Sequence, residues 1–107
     1  MKYPEFPDDV IYTPINEILS GQVKDNVKLR GWIYRTRSSG KLAFVVIRDS
    51  TGIIQCTVSK NNVESLDFEN AGKALVESSV VLDGLVVADD RAPGGFEIRA
   101  TSFNVVH

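Results

Sequence analysis

A chain of 107 residues, 43% of them hydrophobic, is long enough for one soluble domain with a single core but too short to hold a second, catalytic domain as well. A formal net charge of −2 gives no overall basic bulk, and one cysteine and one histidine, Cys56 and His107, exclude an internal disulfide and a metal cage built from such ligands. No apolar run approaches the roughly 20 residues of a membrane span. The first ten residues hold two prolines and three acids, which is unlike a signal peptide. We therefore expect a cytoplasmic protein without a membrane partner.

The first 21 residues are predicted to form an extended arm followed by one short helix. Pro4 and Pro7 favour an extended conformation over residues 1–13. A helix is then expected to begin at Thr13-Pro14, to present the apolar side chains of "PINEILS" on one side, and to end at Gly21. We therefore divide the chain into an arm with its helix, residues 1–21, and a main domain, residues 22–107.

The main domain is predicted to contain three strands, a helix and two more strands. Residues 27–37, 42–49 and 53–58 alternate or are rich in β-branched side chains, and the turn-rich segments "SSGK" and "DSTG" separate them. Apolar residues recur at helical spacing over residues 61–76, with Asn61 or Asn62 available as N-cap. Residues 79–88 and 96–106 complete the strands, joined by "DDRAPGG".

This order of elements predicts an all-β OB-fold, a five-stranded Greek-key barrel whose second and third strands form its usual ligand face. Gly31 in the middle of the first strand fits the sharp bend that a small barrel requires. A five-stranded sheet with the helix packed on one side is the alternative.

Charge is unevenly distributed along the chain. Residues 27–48 contain six basic residues and no acidic one, whereas residues 49–90 contain eight acids and two lysines. A local basic surface of this kind favours a nucleic-acid partner, although a basic run can also be merely solvated.

Strand alternation suggests which side chains meet such a partner. Gln55 shares a strand face with Ile53 and Thr57, and an amide is disfavoured in a small core, so that face is expected to be the wet one. By adjacency Phe44 lies on the same face, where it can stack a base while Gln55 reads the base's edge. The other interpretation makes Phe44 a core residue and Gln55 an edge polar group. Cys56, on the opposite face from Gln55, is interpreted as core filling and not as a reactive thiol.

Three further residues flank the hairpin "TRSSGK" and can hold phosphates or a neighbouring base. They are Arg35, Arg37 and Lys41.

The segments "GWIYRTRSSGKLAFVVIRDSTGIIQC" and "ESSVVLDGLVVADDRAPGGFEI" resemble the N-terminal anticodon-binding domain of class IIb aminoacyl-tRNA synthetases, the aspartyl, asparaginyl and lysyl enzymes. The resemblance implies that the residue at Phe44 stacks on the central anticodon base, a uridine, and that the residue at Gln55 hydrogen-bonds it. It implies that Arg35 and Arg37 contact the anticodon loop. An acidic residue of the last strand, placed at Glu97, helps read the anticodon, and Ser78 lies near another contact region.

Among these enzymes the hairpin "SSGKLAFVVIRD" and the segments "ESSV" and "RAPGG" resemble bacterial and archaeal asparaginyl enzymes more than aspartyl ones, whose hairpin tends to read "KDLGG" or "RDLGS". The arginine-centred and glycine-rich motifs of class II catalytic domains do not occur in these 107 residues. The chain alone is therefore not expected to be an enzyme or to bind a cofactor; ATP, magnesium and homodimer formation would belong to a separate catalytic domain. The alternatives are an aspartyl-type anticodon-binding domain and a free-standing OB-fold that binds single-stranded nucleic acid.

Overall fold

The computed structural model describes residues 11–73 and 76–106, which form two helices and five strands. Helix α1 (Ile15–Leu19) comes first and is followed by β1 (Asn26–Ser39), β2 (Leu42–Arg48) and β3 (Ile53–Ser59). Helix α2 (Ser65–Lys73) then leads to β4 (Ser79–Ala88) and β5 (Phe96–Val105).

The five strands close into a barrel in the order β1-β2-β3-β5-β4, with β4 returning to β1. All neighbours are antiparallel except β3 and β5, which run parallel and place Gln55 beside Glu97. This arrangement confirms the predicted OB-fold, and the alternative of an open sheet with one covered face is wrong.

The long strand β1 joins the two halves of the barrel. Its first half pairs with β4 and its second half pairs with β2. Trp32 lies where the pairing partner changes, opposite both Ser79 of β4 and Arg48 of β2. Gly31 precedes that point, and a Cβ there would collide with the carbonyl oxygen of Arg48. The absence of a side chain at Gly31 therefore allows β2 to approach β1 closely.

The barrel interior is filled by alternating side chains of the strands and closed by apolar residues of both helices. Ile15 and Ile18 of α1 are fully buried, as is Ala71 of α2. Cys56 is also fully buried, which confirms that it fills the core; burial, together with the nearby Glu97 charge, raises the pKa of its thiol above the usual range. The largest fully buried side chains are Phe103, Ile15, Ile18, Leu29, Ile33, Ile47, Ile54, Leu82, Ile98, Val45, Val58 and Val80.

The turn between β2 and β3 fastens α1 to the barrel through one carboxylate. Oδ2 of Asp49 accepts a hydrogen bond from the Ile15 backbone N–H at 2.9 Å, which satisfies a donor at the start of α1. Oδ1 accepts from the Thr51 backbone, the Thr51 hydroxyl and the Gly52 backbone at 2.7, 2.6 and 3.1 Å. The Thr51 hydroxyl in turn accepts from the Asn16 backbone at 3.0 Å. We call these residues, Asp49, Thr51, Gly52, Ile15 and Asn16, the Asp49 network.

The second helix differs from its prediction in where it begins. Asn61 and Asn62 do not cap it; both lie in the turn after β3, where their backbone N–H groups bond the Ser59 side chain and carbonyl. The helix begins at Ser65, and the Glu64 carbonyl accepts its first backbone hydrogen bond, from Phe68. Leu66, one of the apolar residues at helical spacing in the predicted helix, is 64% exposed.

Several other predicted boundaries move by one or two residues. The first strand extends further at both ends, the second ends at Arg48, the third continues to Ser59, and the fifth ends at Val105. The β4–β5 connection contains one helical turn at Pro93–Gly95, and Gly94 packs against Leu19 of α1. Pro4 and Pro7 of the predicted arm, and Ala74 and Leu75 of the predicted helix, lie outside the described residues.

Candidate nucleic-acid interface

The outer face of β2 and β3 carries Phe44 and Gln55. Along β2, Ala43, Val45 and Ile47 are fully buried, while the residues between them are only half-buried. Gln55 is likewise half-buried on β3 beside the buried Ile54 and Cys56. The prediction that Phe44 and Gln55 share an open face is confirmed, and the interpretation of Phe44 as a core residue is wrong.

Strand register arranges this face as two adjacent rows that cross four strands. One row runs Arg37, Phe44, Thr57, Arg99, and the next runs Arg35, Val46, Gln55, Glu97. Phe44 and Gln55 are therefore diagonal neighbours, and side chains in that relation lie within reach of one another's contacts. The second row ends at a carboxylate and the first at a guanidinium.

A groove of about 630 Å³ lies over these rows. Its lining comes mainly from β2, β3 and β5 and from the segments that follow β3 and β4. The lining residues are Arg37, Leu42, Phe44, Gln55, Thr57, Ser59, Asn62, Asp89, Arg91, Glu97 and Arg99. A concave surface that combines one aromatic ring, one amide and several charges is suited to an unstacked base with its phosphate.

The Phe44 ring has a cation as its neighbour. The guanidinium carbon of Arg37 lies 4.3 Å from the ring centroid, within the range of a cation–π contact. Arg37 is itself exposed, so this contact stands at the surface. The aromatic side of the groove is thus bordered by positive charge.

The opposite side of the groove is bordered by carboxylates. Glu97 is only 6% exposed, and its Oε2 accepts a hydrogen bond from the Thr57 hydroxyl at 2.7 Å. Arg99 Nε is 3.9 Å from the same oxygen. Asp89 accepts from the Arg91 backbone N–H at 2.9 Å, and this bond holds the pKa of Asp89 below its usual value. The groove therefore offers acceptors on one side and an aromatic ring on the other.

The structure brings four of the seven predicted contact residues together in the groove: Phe44, Gln55, Arg37 and Glu97. Arg35 stands in the second row but outside the lining, with its guanidinium 5.5 Å from the Tyr34 ring. Lys41 is exposed in the β1–β2 hairpin. Ser78 lies just before β4, where its carbonyl accepts from the Ile33 backbone, and it does not line the groove.

The basic run at residues 27–48 does not form one continuous surface. Lys28 pairs with Asp83 at 2.7 Å, Arg48 pairs with Glu77 at 2.8 Å, and Arg30 lies over Tyr12 at 4.8 Å, all outside the groove. Of the six basic residues, only Arg37 lines the groove; Arg35 and Lys41 are exposed outside the lining, and β5 and its preceding loop add Arg99 and Arg91.

Sequence reasoning missed Arg99, Thr57, Asp89 and Arg91. Thr57 and Arg99 each stand two residues from a predicted contact, Gln55 and Glu97, so strand alternation already placed them on the same face. Asp89 and Arg91 belong to the β4–β5 loop, whose position no periodicity indicates. Within residues 11–73 and 76–106, no cluster of three His, Cys, Asp or Glu side chains is placed to hold a metal ion, and no helix is long and apolar enough to cross a membrane.

Comparison with known proteins gives consistent relatives. The family described as the OB-fold nucleic acid binding domain matches residues 27–106. The asparagine–tRNA ligase of Thermoplasma acidophilum is 47% identical over 83 residues, which are 78% of this chain and 19% of that protein. Among solved structures, asparaginyl-tRNA synthetase from Pyrococcus horikoshii, complexed with asparaginyl-adenylate, superposes with a TM-score of 0.83 at 40% identity, covering 94% of this chain and 23% of the other. Aspartyl-tRNA synthetase from Entamoeba histolytica gives 0.80 at 25% identity, covering 92% and 22%. The chain thus spans about a fifth of the length of the relatives it matches.

Proposed function

Because this chain belongs to the family of OB-fold nucleic acid binding domains, we propose that it is the anticodon-recognition module of an asparagine–tRNA ligase. The observation that carries this proposal is the groove in which Phe44 and Gln55 are diagonal neighbours on one open face. The ligand is then a single-stranded RNA loop, the anticodon loop of a tRNA with uridine at its centre.

Phe44 supplies affinity that is indifferent to base identity. A base that stacks on a protein aromatic ring gains about 1 to 3 kcal/mol whatever its edge carries. Stacking on Phe44 brings the edge of the base towards β3, where the Gln55 side chain stands. The Phe44 ring therefore holds the base while another group reads it.

Gln55 supplies the identity. Its amide offers both a donor and an acceptor, and uridine presents an N3–H donor between two carbonyl acceptors. Cytidine has an acceptor at N3 and an amino group at C4, so one orientation of the amide cannot satisfy both bases. Glu97, adjacent to Gln55 across the β3–β5 pair, is placed to accept from a neighbouring base.

The exposed cations around the groove meet the phosphates. Arg35 and Lys41 lie towards the β1–β2 hairpin, and Arg99 and Arg91 lie across the groove on the β5 side. Each phosphate neutralised on a single strand contributes about −0.7 to the slope of log affinity against log salt. We expect modest, salt-sensitive affinity from so few contacts.

The relatives favour asparagine over aspartate, because the asparaginyl enzyme is 40% identical and the aspartyl enzyme 25% identical at similar TM-scores. Ligase activity, the use of ATP and magnesium, and homodimer formation are proposed for a catalytic domain joined to this one in a cytoplasmic enzyme. The module's own contribution is to select the tRNA.

The test is a titration of the domain with two anticodon stem-loops that differ only at the central base, uridine or cytidine. The unmodified domain is expected to prefer uridine. Phe44→Ala should weaken both loops by about 5-fold to 150-fold, the range of one lost stack, whereas Gln55→Glu should chiefly remove the preference. Asn104→Ala, an exposed β5 residue outside the groove, is the matched control and should bind as the unmodified domain does.

Equal binding of the two loops by the unmodified domain would contradict the proposal. If that binding also remained insensitive to further changes of sequence while falling steeply with salt, the domain would be a general single-strand binder. Tight binding that is insensitive to salt would contradict both functions.

A further inference from the structure

We propose that Arg37 is a positioning residue that acts on the RNA through the Phe44 ring, forming a three-layer stack of guanidinium, ring and base. The inference rests on the proposed function, since it concerns how the stacking face of Phe44 is prepared. The observation behind it is the 4.3 Å separation between the Arg37 guanidinium carbon and the Phe44 ring centroid.

Phe44 has a charged residue on one side of it in the sheet and an uncharged polar residue on the other. Arg37 is directly opposite Phe44 on β1, and Thr57 is directly opposite it on β3. Arg37 reaches the ring from the β1 side, and it is the only β1 residue that lines the groove within the described part of the chain. The remaining lining lies on β2, on β3 and β5, or in the segments that follow β3 and β4. The base site consequently lies on the β3 side of the ring, where Gln55 stands.

The carboxylates of the groove do not draw the Arg37 guanidinium away from the Phe44 ring. The two carboxylates of the groove are engaged at its far side, Glu97 by Thr57 and Arg99 and Asp89 by Arg91. No carboxylate within residues 11–73 and 76–106 forms an ion pair with Arg37. A planar guanidinium packs flat against an aromatic face, which the ammonium of lysine does not do.

A ring covered on one face has fewer orientations open to it. Arg37 therefore restrains Phe44 before RNA arrives and leaves the opposite face for a base, which lowers the ordering cost of stacking. Arg35 provides the internal contrast, because it stands two residues away on the same strand but opposite Val46, with its guanidinium near Tyr34.

The experiment is a double-mutant cycle on Arg37 and Phe44, measured with the central-uridine stem-loop. Arg37→Lys keeps the charge and removes the planar stack, so it should weaken binding by about 2-fold to 5-fold, as expected for one exposed cation–π contact. In the Phe44→Ala background the same change should have no effect. Arg35→Lys is the matched control, and its effect should be the same in both backgrounds.

A second measurement follows the Arg37 side chain directly by NMR. Its δ protons should be shifted upfield by the Phe44 ring current in the free domain, and the shift should persist when RNA is bound. Phe44→Leu should abolish it.

Additive effects of the Arg37 and Phe44 changes would overturn the inference and make Arg37 a phosphate contact. Loss of the upfield shift on RNA binding would also overturn it, because the base would then have displaced the guanidinium. Failure of the proposed function is a separate result: equal binding of uridine and cytidine loops would overturn anticodon reading, while the cycle would still report on the Arg37 stack. A domain that bound neither loop would overturn both.

Discussion

The two ends of the β2 and β3 strands use charged residues in opposite ways. At the Asp49 network one carboxylate oxygen accepts three hydrogen bonds and the other accepts a fourth, and Asp49 is buried. In the groove, Arg91 and Arg99 stand 3.6 and 3.9 Å from their nearest carboxylates and are largely exposed. The Asp49 carboxylate stabilises the fold, whereas the guanidiniums of Arg91 and Arg99 stay accessible to a ligand. The buried carboxylate thus lies in the β2–β3 turn, whereas the exposed guanidiniums come from the β4–β5 connection and from β5.

The strongest way to test this contrast is Asp49→Ala. The change leaves four donors without their acceptor and frees the start of α1, so the free energy of unfolding should fall by about 3 to 4 kcal/mol. Urea denaturation measures the loss. Asp49→Asn, which keeps the shape and one acceptor, should lose about half as much. RNA affinity of the folded variant should not change, and a large change in affinity would show that the two regions are coupled.

Thr57→Val tests the hydrogen bond that the Thr57 hydroxyl donates to Glu97 inside the groove. It removes the hydroxyl that Glu97 accepts from while keeping the side-chain volume, and Glu97 is nearly buried. The free energy of unfolding should fall by about 1 to 2 kcal/mol, the cost of leaving such an acceptor without its donor. Thr101→Val, whose hydroxyl donates to a carbonyl at an exposed position, is the control and should change little. Equal losses in the two variants would contradict a special role for the Thr57 bond.

Glu77 lies outside both regions and combines an ion pair with a strained backbone. It has a left-handed backbone, with φ of 73°, and both of its carboxylate oxygens accept from Arg48 at 3.0 and 2.8 Å. Glu77→Ala loses the ion pair and keeps the strain, whereas Glu77→Gly loses the ion pair and removes the strain. The glycine variant should therefore be more stable than the alanine variant by about 1 kcal/mol in chemical denaturation. Equal stabilities would mean that the left-handed conformation costs nothing here.

The smallest effect is expected at the exposed pair of Lys28 and Asp83. Partial burial raises the pKa of Asp83, but hydrogen bonds from Lys28 and Ser102 outweigh it and leave the pKa below its usual range. A lowered folded-state pKa stabilises the protein above the unfolded-state pKa of about 3.9, and the contribution disappears as the pH falls through the folded-state value. Solvent screening should keep it below about 1 kcal/mol. Asp83→Asn should thus lower stability at pH 7 and have no effect near pH 2; a difference that persists at pH 2 would assign the effect to packing.

The sequence was sufficient for the elements whose signal is local. Short strand-like runs between turn-rich segments indicate all five strands, and the amide at Gln55 indicates the wet face, because an unsatisfied amide is costly inside a core. The predicted start of α2 is wrong because Asn61 and Asn62 favour turns as well as N-caps. In the structure both residues lie in a turn with Ser59. Arg91 was missed because no periodicity indicates the position of the β4–β5 loop, whereas Arg99 could have been found, since it stands two residues from Glu97 on the same strand face. Ser78 was placed by resemblance alone, and its contact with RNA stays a prediction, as do the RNA contacts of the other six predicted residues.

The parallel pairing of β3 with β5 also has a consequence for how the domain acquires its binding surface during folding. The β1–β2, β2–β3 and β4–β5 pairs join strands that follow one another in sequence, whereas Gln55 meets Glu97 only after the chain between them has been drawn into a closed loop. Closing so long a loop is entropically costly, and distant pairings of this kind slow folding. We expect the groove to be completed late, so that a nascent chain carrying both Phe44 and Gln55 still has no site to offer RNA until its last strand is in place.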